Sequence, residues 1–132
     1  MAVIAPAIIN MNRSTLKIGT DSYEKAVSSA KLVPATPVAK FKGIGGNTVK
    51  AAGVPDWTLV LTYAQDWTTV SSLSQYLVTN LGQTKVVELT PETGGQKATV
   101  TVLIIPGDMG GDVDTTTVAS VTLEVIGQPV FA

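Results

Sequence analysis

One residue in three of this 132-residue chain is β-branched: 18 Thr, 18 Val and 8 Ile, 44 in all. Two heavy substituents on Cβ stiffen χ1 and crowd a helical turn, whereas on a pleated surface they pack against cross-strand neighbours. That bias predicts a mainly β fold. Most connections between candidate strands are too short for helical crossovers, so antiparallel pairing is expected. The expected architecture is a two-sheet sandwich or small barrel with one flanking α-helix, built as a single domain over residues 1–132.

The clearest strand runs from Trp57 to Gln65. Trp57, Leu59, Leu61 and Tyr63 recur at period 2 on one face, with Thr58, Val60, Thr62 and Ala64 on the other. Further strands are expected within 14–20, over Tyr23–Val33 and Val38–Lys42, and over Lys85–Leu89, Lys97–Ile105 and Val118–Ile126. Pro34 and Pro37 should break the second of these and Gly127 should end the last. One helix is expected over Val70–Leu81, where Val70, Leu73, Leu77 and Leu81 form an apolar stripe. Thr68, Thr69 or Ser71 stands in capping position, and Gly82 sits where a left-handed residue closes a helix. The expected core is Trp57, Leu59, Leu61, Tyr63, Trp67, Leu73 and Leu77, with Trp67 packing the helix onto the sheet. Residues 1–13 read as an N-terminal arm. Residues 43–56, GIGGNTVKAAGVPD, hold four glycines and one proline and read as a long inter-strand loop.

Chemistry is limited first by what is missing. Without histidine or cysteine, a Ser-His-Asp triad, a Cys-His dyad, a disulfide framework and the usual zinc sites are excluded. Glu88 with Glu92, or Asp108 with Asp112, would supply glycosidase-like acid pairs, but acid–base work needs burial to raise one pKa, and these read as solvated turn and edge residues. The segment Gly43 to Lys50 fails the phosphate-loop and dinucleotide patterns. Asp108, Asp112 and Asp114 share a glycine-rich turn, yet a calcium loop counted from Asp112 would need Glu where Leu123 stands. Asn12-Arg13-Ser14 is a glycosylation sequon that matters only on secretion. Trp67 could stack a sugar, although packing is the plainer expectation. No catalytic, cofactor-binding or metal site is expected.

Charge is sparse and unevenly placed. Charged residues make up 14% of the chain, against about 25% in ordinary soluble domains, which suggests a surface partly covered by other subunits. Residues 1–50 carry seven bases against two acids, a net of +5, whereas residues 51–132 carry two bases against eight acids, a net of −6. Such halves can hold one domain together or attract neighbouring copies. The overall charge of −1 argues against tight nucleic-acid binding. The apolar start MAVIAPAIIN is too short to span a membrane and has no basic residues before it, so no membrane association is expected.

Four segments in order resemble the major tail proteins, or tail tube subunits, of long-tailed bacteriophages. They are the strand DWTLVLTYAQDW (56–67), the helix SSLSQYLVTNLG (71–82), the strand and glycine-acid turn ATVTVLIIPGDMGGDVDTTT (98–117), and the ending VASVTLEVIGQPVF (118–131). The resemblance spans about residues 56–131 and rests on order and spacing. It implies two packed β-sheets and a helix, self-assembling into stacked, hexameric rings. The stack is a hollow virion tube, assembled in the host cytoplasm and typically acidic inside. DNA passes through it on ejection without specific binding. Implied partners are further copies of the chain, a tape-measure protein in the lumen, and tail terminator and tail-tip proteins. Contractile and non-contractile tails are not separated. On this reading the arm, with Ile4, Ile8, Ile9 and Arg13, and the segment holding Lys40, Lys42, Ile44, Asn47, Val49, Lys50 and Val54 are the expected oligomerisation residues. The alternative is a carbohydrate- or surface-binding β-sandwich module of a virion, for which 7 aromatic residues are thin material.

Overall fold

A computed structural model describes residues 2–92 and 94–131. The chain order is β1 (Thr15–Ile18), β2 (Asp21–Ser22), β3 (Val27–Ala35), β4 (Val38–Lys42), β5 (Thr48–Ala52), β6 (Asp56–Ala64), α1 (Leu73–Thr79), β7 (Thr84–Thr90), β8 (Ala98–Leu103) and β9 (Val118–Phe131). Seven strands form one sheet in the order β2-β1-β7-β8-β9-β6-β3, and β4 and β5 pair separately. Every pairing is antiparallel. The fold is therefore mainly β with one short helix, as the β-branched content predicts.

β9 joins the two halves of the sheet. Its residues Val118–Glu124 pair with β6, and its later residues pair with β8. The halves then close over one core. β1, β7 and β8 contribute Leu16, Ile18, Val87, Val100 and Val102; β3, β6 and β9 contribute Ala30, Leu59, Leu61, Tyr63, Val121 and Leu123; α1 contributes Leu73 and Leu77. Facing residues match in type across the ladder, with Leu59 opposite Leu123 and Leu61 opposite Val121. Each such buried Leu or Val is worth about 1.5–3 kcal/mol relative to exposure.

Several elements depart from the sequence reading. α1 is confined to 73–79 and is capped by Ser72, whose side chain accepts from the Gln75 N–H. Its expected outer stripe residues, Val70 and Leu81, are exposed, because the chain before Ser72 is committed to turns and the helix ends at Thr79, capped by Asn80. β3 continues through Pro34 to Ala35. It lies at the sheet's edge, where a missing N–H costs no ladder bond. A register shift between Val27 and Ser29 also resets which residues of this strand face inward. β9 runs past Gly127 to Phe131. Gly127, at φ 85°, lies in the stretch where two ladder steps on β8 span four on β9. Such a bulge needs a left-handed residue and lets the strand resume. Residues 43–56 are not a long loop: Thr48–Ala52 form β5, the glycines being gathered at the turn and at Gly53 rather than within the strand.

Candidate functional site

The pieces that stand out are those the core does not claim. Residues 2–13 of the arm have no regular structure, and Ile4 and Ile8 are 88% and 84% exposed. Its base is fixed where Ser14 Oγ donates to the Pro91 carbonyl at 2.7 Å and the Asn10 N–H donates to Glu92 Oε1 at 3.0 Å.

The second piece is the β4–β5 hairpin, in which every strand residue is exposed. It prolongs the β3–β6 pair: Ala35 faces Asp56, and beyond the break at Thr36-Pro37 and Gly53-Val54-Pro55, Val38 faces Ala52. The Gly53 N–H donates to the Pro37 carbonyl at 2.7 Å and keeps the two strands together across that break. The register sorts the side chains into two faces. Lys40 is directly opposite Lys50, with Lys42 opposite Thr48 beside them; Phe41 is opposite Val49 and Ala39 opposite Ala51 on the reverse. Phe41 is 67% exposed. Isolated two-stranded hairpins are marginal in water, and directly opposed like charges weaken them further.

At the other end of β6 lies the third piece, formed by the turn into α1 and the 106–117 loop. Asp66 Oδ1 accepts from the N–H groups of Thr68 and Thr69 at 3.0 and 3.2 Å. These hydrogen bonds, with the Thr69 hydroxyl foremost, hold its carboxyl below the ordinary carboxylate range and shape the turn. Ser72 Oγ donates back to the Asp66 carbonyl at 2.6 Å. Gln65 clamps the loop: Nε2 donates to the Gly110 carbonyl at 2.9 Å and the Val118 carbonyl at 3.2 Å, while Oε1 accepts the Gly110 N–H at 2.9 Å. At the root of the loop, a Cβ on Gly107 would collide with the Tyr63 hydroxyl.

Of the expected core, Leu59, Leu61, Tyr63, Leu73 and Leu77 are fully buried and Trp57 packs half-buried against them. Trp67 does not pack the helix onto the sheet. It is 53% exposed, donates Nε1 to Gln65 Oε1 at 3.2 Å, and lines a groove of about 270 Å³ with Gln75, Val78 and Met109. The Asx turn at Asp66 swings it outside, which hydrophobicity alone does not signal.

The acids named in the sequence sit apart from one another or at the surface. Glu88 pairs with Lys97 at 3.3 Å, Glu92 is engaged by the arm, and Asp112 and Asp114 are exposed. A cleft of about 340 Å³ between β1 and β3 is lined by Glu24, whose Oε2 is buried without a hydrogen-bond partner among the described residues. The rings of Tyr23 and Tyr76 meet tilted at 56°, with centroids 5.6 Å apart. Burial first, then the Asp21 charge, pushes the Tyr23 phenol up to about 12. Among the described residues no cluster of three metal-ligating side chains occurs.

No family model and no curated protein matches this chain. Solved structures do. Its fold is similar over 99% of both chains, at TM-score 0.63 and 16% identity, to a chain in the sheath/tube terminator of the extracellular contractile injection system PVC in its extended state. It is similar over 100% of this chain and 97% of the other, at TM-score 0.64 and 14% identity, to one in the tube-terminating cap of the anti-feeding prophage. A chain in the PVC sheath–tube complex matches 95% of this one at TM-score 0.62 and 14% identity. At such identities the likeness establishes the fold.

Proposed function

We propose that this chain is a structural subunit of a phage-tail-like tube and works by self-assembly, not catalysis. The observation that carries the reading is the whole-length likeness to chains of tube, cap and terminator assemblies. The exposed pieces fit it. An apolar arm and a hairpin with no cover of its own are costly in a dispersed monomer and useful where neighbouring copies bury them. On this reading copies form stacked, hexameric rings around a conduit, with Ile4, Ile8, Ile9 and Arg13 of the arm and Lys40, Lys42, Ile44, Asn47, Val49, Lys50 and Val54 of the hairpin region in the contacts. A tape-measure protein, a terminator and tip proteins are the remaining partners, and DNA passes through without specific binding. The fold likeness to contractile injection systems leans the proposal toward a contractile particle rather than the long, non-contractile tail.

Negative-stain electron microscopy of the purified full chain tests this directly. Rings or hollow filaments are expected; a particle that stays monomeric at high concentration rejects the reading. A second reading, a carbohydrate- or surface-binding module, draws on the half-exposed Trp67 beside its groove. It predicts a monomer whose Trp67 fluorescence shifts on glycan titration.

A further inference from the structure

The charge segregation has a direction in the fold. From residue 25 to residue 55 there are five lysines and no acid, and from residue 98 to residue 132 there are four acids and no base. The hairpin carries three of those lysines on one face, and the 106–117 loop carries Asp108, Asp112 and Asp114. The hairpin is rooted at Asp56. The loop is clamped by Gln65 just past Ala64. The nine residues of β6 lie between them, about 27 Å at a strand's rise per residue. Among the described residues, Lys40, Lys42 and Lys50 have no carboxylate within ion-pair reach.

We propose that copies of this chain meet head to tail, the lysine face of β4–β5 in one copy seating on the acidic 106–117 loop of the next. This rests on the tube reading and gives its stacking contact a polarity. Neutralisation by a neighbour removes the Lys40–Lys50 repulsion that the isolated hairpin carries, and the Gln65 clamp holds the receiving loop in one shape before contact, so little ordering is needed on binding. The contact is heterologous. Each added copy presents a new lysine face at one end and a new acidic loop at the other, so as a stacking contact along the tube axis it lets growth continue, whereas a rotation that closes would make a ring. Opposed charge also steers the approach.

The test uses two full-length variants. One carries Lys40→Glu with Lys50→Glu, which keeps a like-charge pair inside the hairpin, so any change in assembly reports the contact between copies. The other carries Asp112→Lys with Asp114→Lys. Circular dichroism checks that both fold, and sedimentation with electron microscopy gives the concentration at which assemblies appear. Each variant alone should need about tenfold more protein than the unaltered chain, and an equimolar mixture should recover. If the unaltered chain assembles and both variants match it, or if the mixture gains nothing over its parts, the head-to-tail contact is wrong while the tube reading stands. If the unaltered chain forms no assemblies, both fall.

Discussion

Replacing Gln65 by Ala removes an amide that makes three hydrogen bonds to the 106–117 loop and the start of β9, at 2.9, 3.2 and 2.9 Å. A neutral hydrogen bond contributes about 0.5–1.5 kcal/mol net, and these are exposed, so the low end applies, for a total of about 1.5 kcal/mol. The loss is local, because β6 and β9 remain zipped by their own ladder from Thr58 to Ala64. The reporter is the Gln65 amide, which donates to the Thr117 carbonyl at 3.1 Å and is released only when the loop lifts. Its hydrogen exchange should speed up about tenfold, the rate equivalent of that energy, while the thermal midpoint falls by less than about 4 °C. Gln65→Glu separates hydrogen bonding from packing. It keeps the acceptor for the Gly110 N–H but sets a carboxylate against the Gly110 and Val118 carbonyls, so it should open the loop at least as much as Ala. Unchanged protection in the Ala variant would refute the clamp.

Other perturbations address the core and the tyrosines. Leu61→Ala, at a fully buried site in the middle of β6, should cost about 2–5 kcal/mol in denaturant unfolding, whereas Trp67→Ala should cost less than about 1 kcal/mol because half its surface already meets water. Gly107→Ala forces a methyl onto the Tyr63 hydroxyl and against Val121 and should destabilise by about 1–3 kcal/mol, with Tyr63→Phe in the same chain recovering part of the loss. The Tyr23 phenol is raised from 10.0 to about 12, so between those pH values the unfolded chain gives up a proton that the folded chain keeps. Stability is therefore full below about pH 10 and declines toward about pH 12. Melting curves at about pH 9 and about pH 11.5 should show a smaller drop for Tyr23→Phe than for the unaltered chain, and an equal drop would remove Tyr23 as the cause.

How far the sequence disclosed the fold differs from strand to strand for physical reasons. β6 is legible because one of its faces is buried throughout, so Leu59, Leu61 and Tyr63 must alternate with less buried residues. The first part of β9 is legible in the same way. Its continuation is hidden, since Gly127 and Pro129 ordinarily end strands and only the bulge paired against β8 lets them belong to one. β5 is hidden because no residue in it is buried, so no periodicity is imposed on it by a core. The lysines of the hairpin were legible as charge but not as a face: that Lys40 meets Lys50 depends on a register set by the turn at Gly43–Asn47, whose Gly43 N–H donates to the Asn47 carbonyl at 3.0 Å. Trp67 was misread because a single Asx turn decides whether the ring lies under the helix or beside it.

Among the described residues, β9 is the only strand shared by the two halves of the seven-stranded sheet, and it follows the other strands in order. Before β9 docks, β2-β1-β7-β8 and β3-β6 are therefore two separate ribbons, each with a raw edge, and β9 closes both at once. Its contacts with β6 span some fifty to seventy positions, the long-range kind that folds slowly. Until β9 docks, the Gln65 side chain has no Val118 carbonyl to hold and the body behind the hairpin stays open, so in the proposed assembly a copy joins only after β9 is in place.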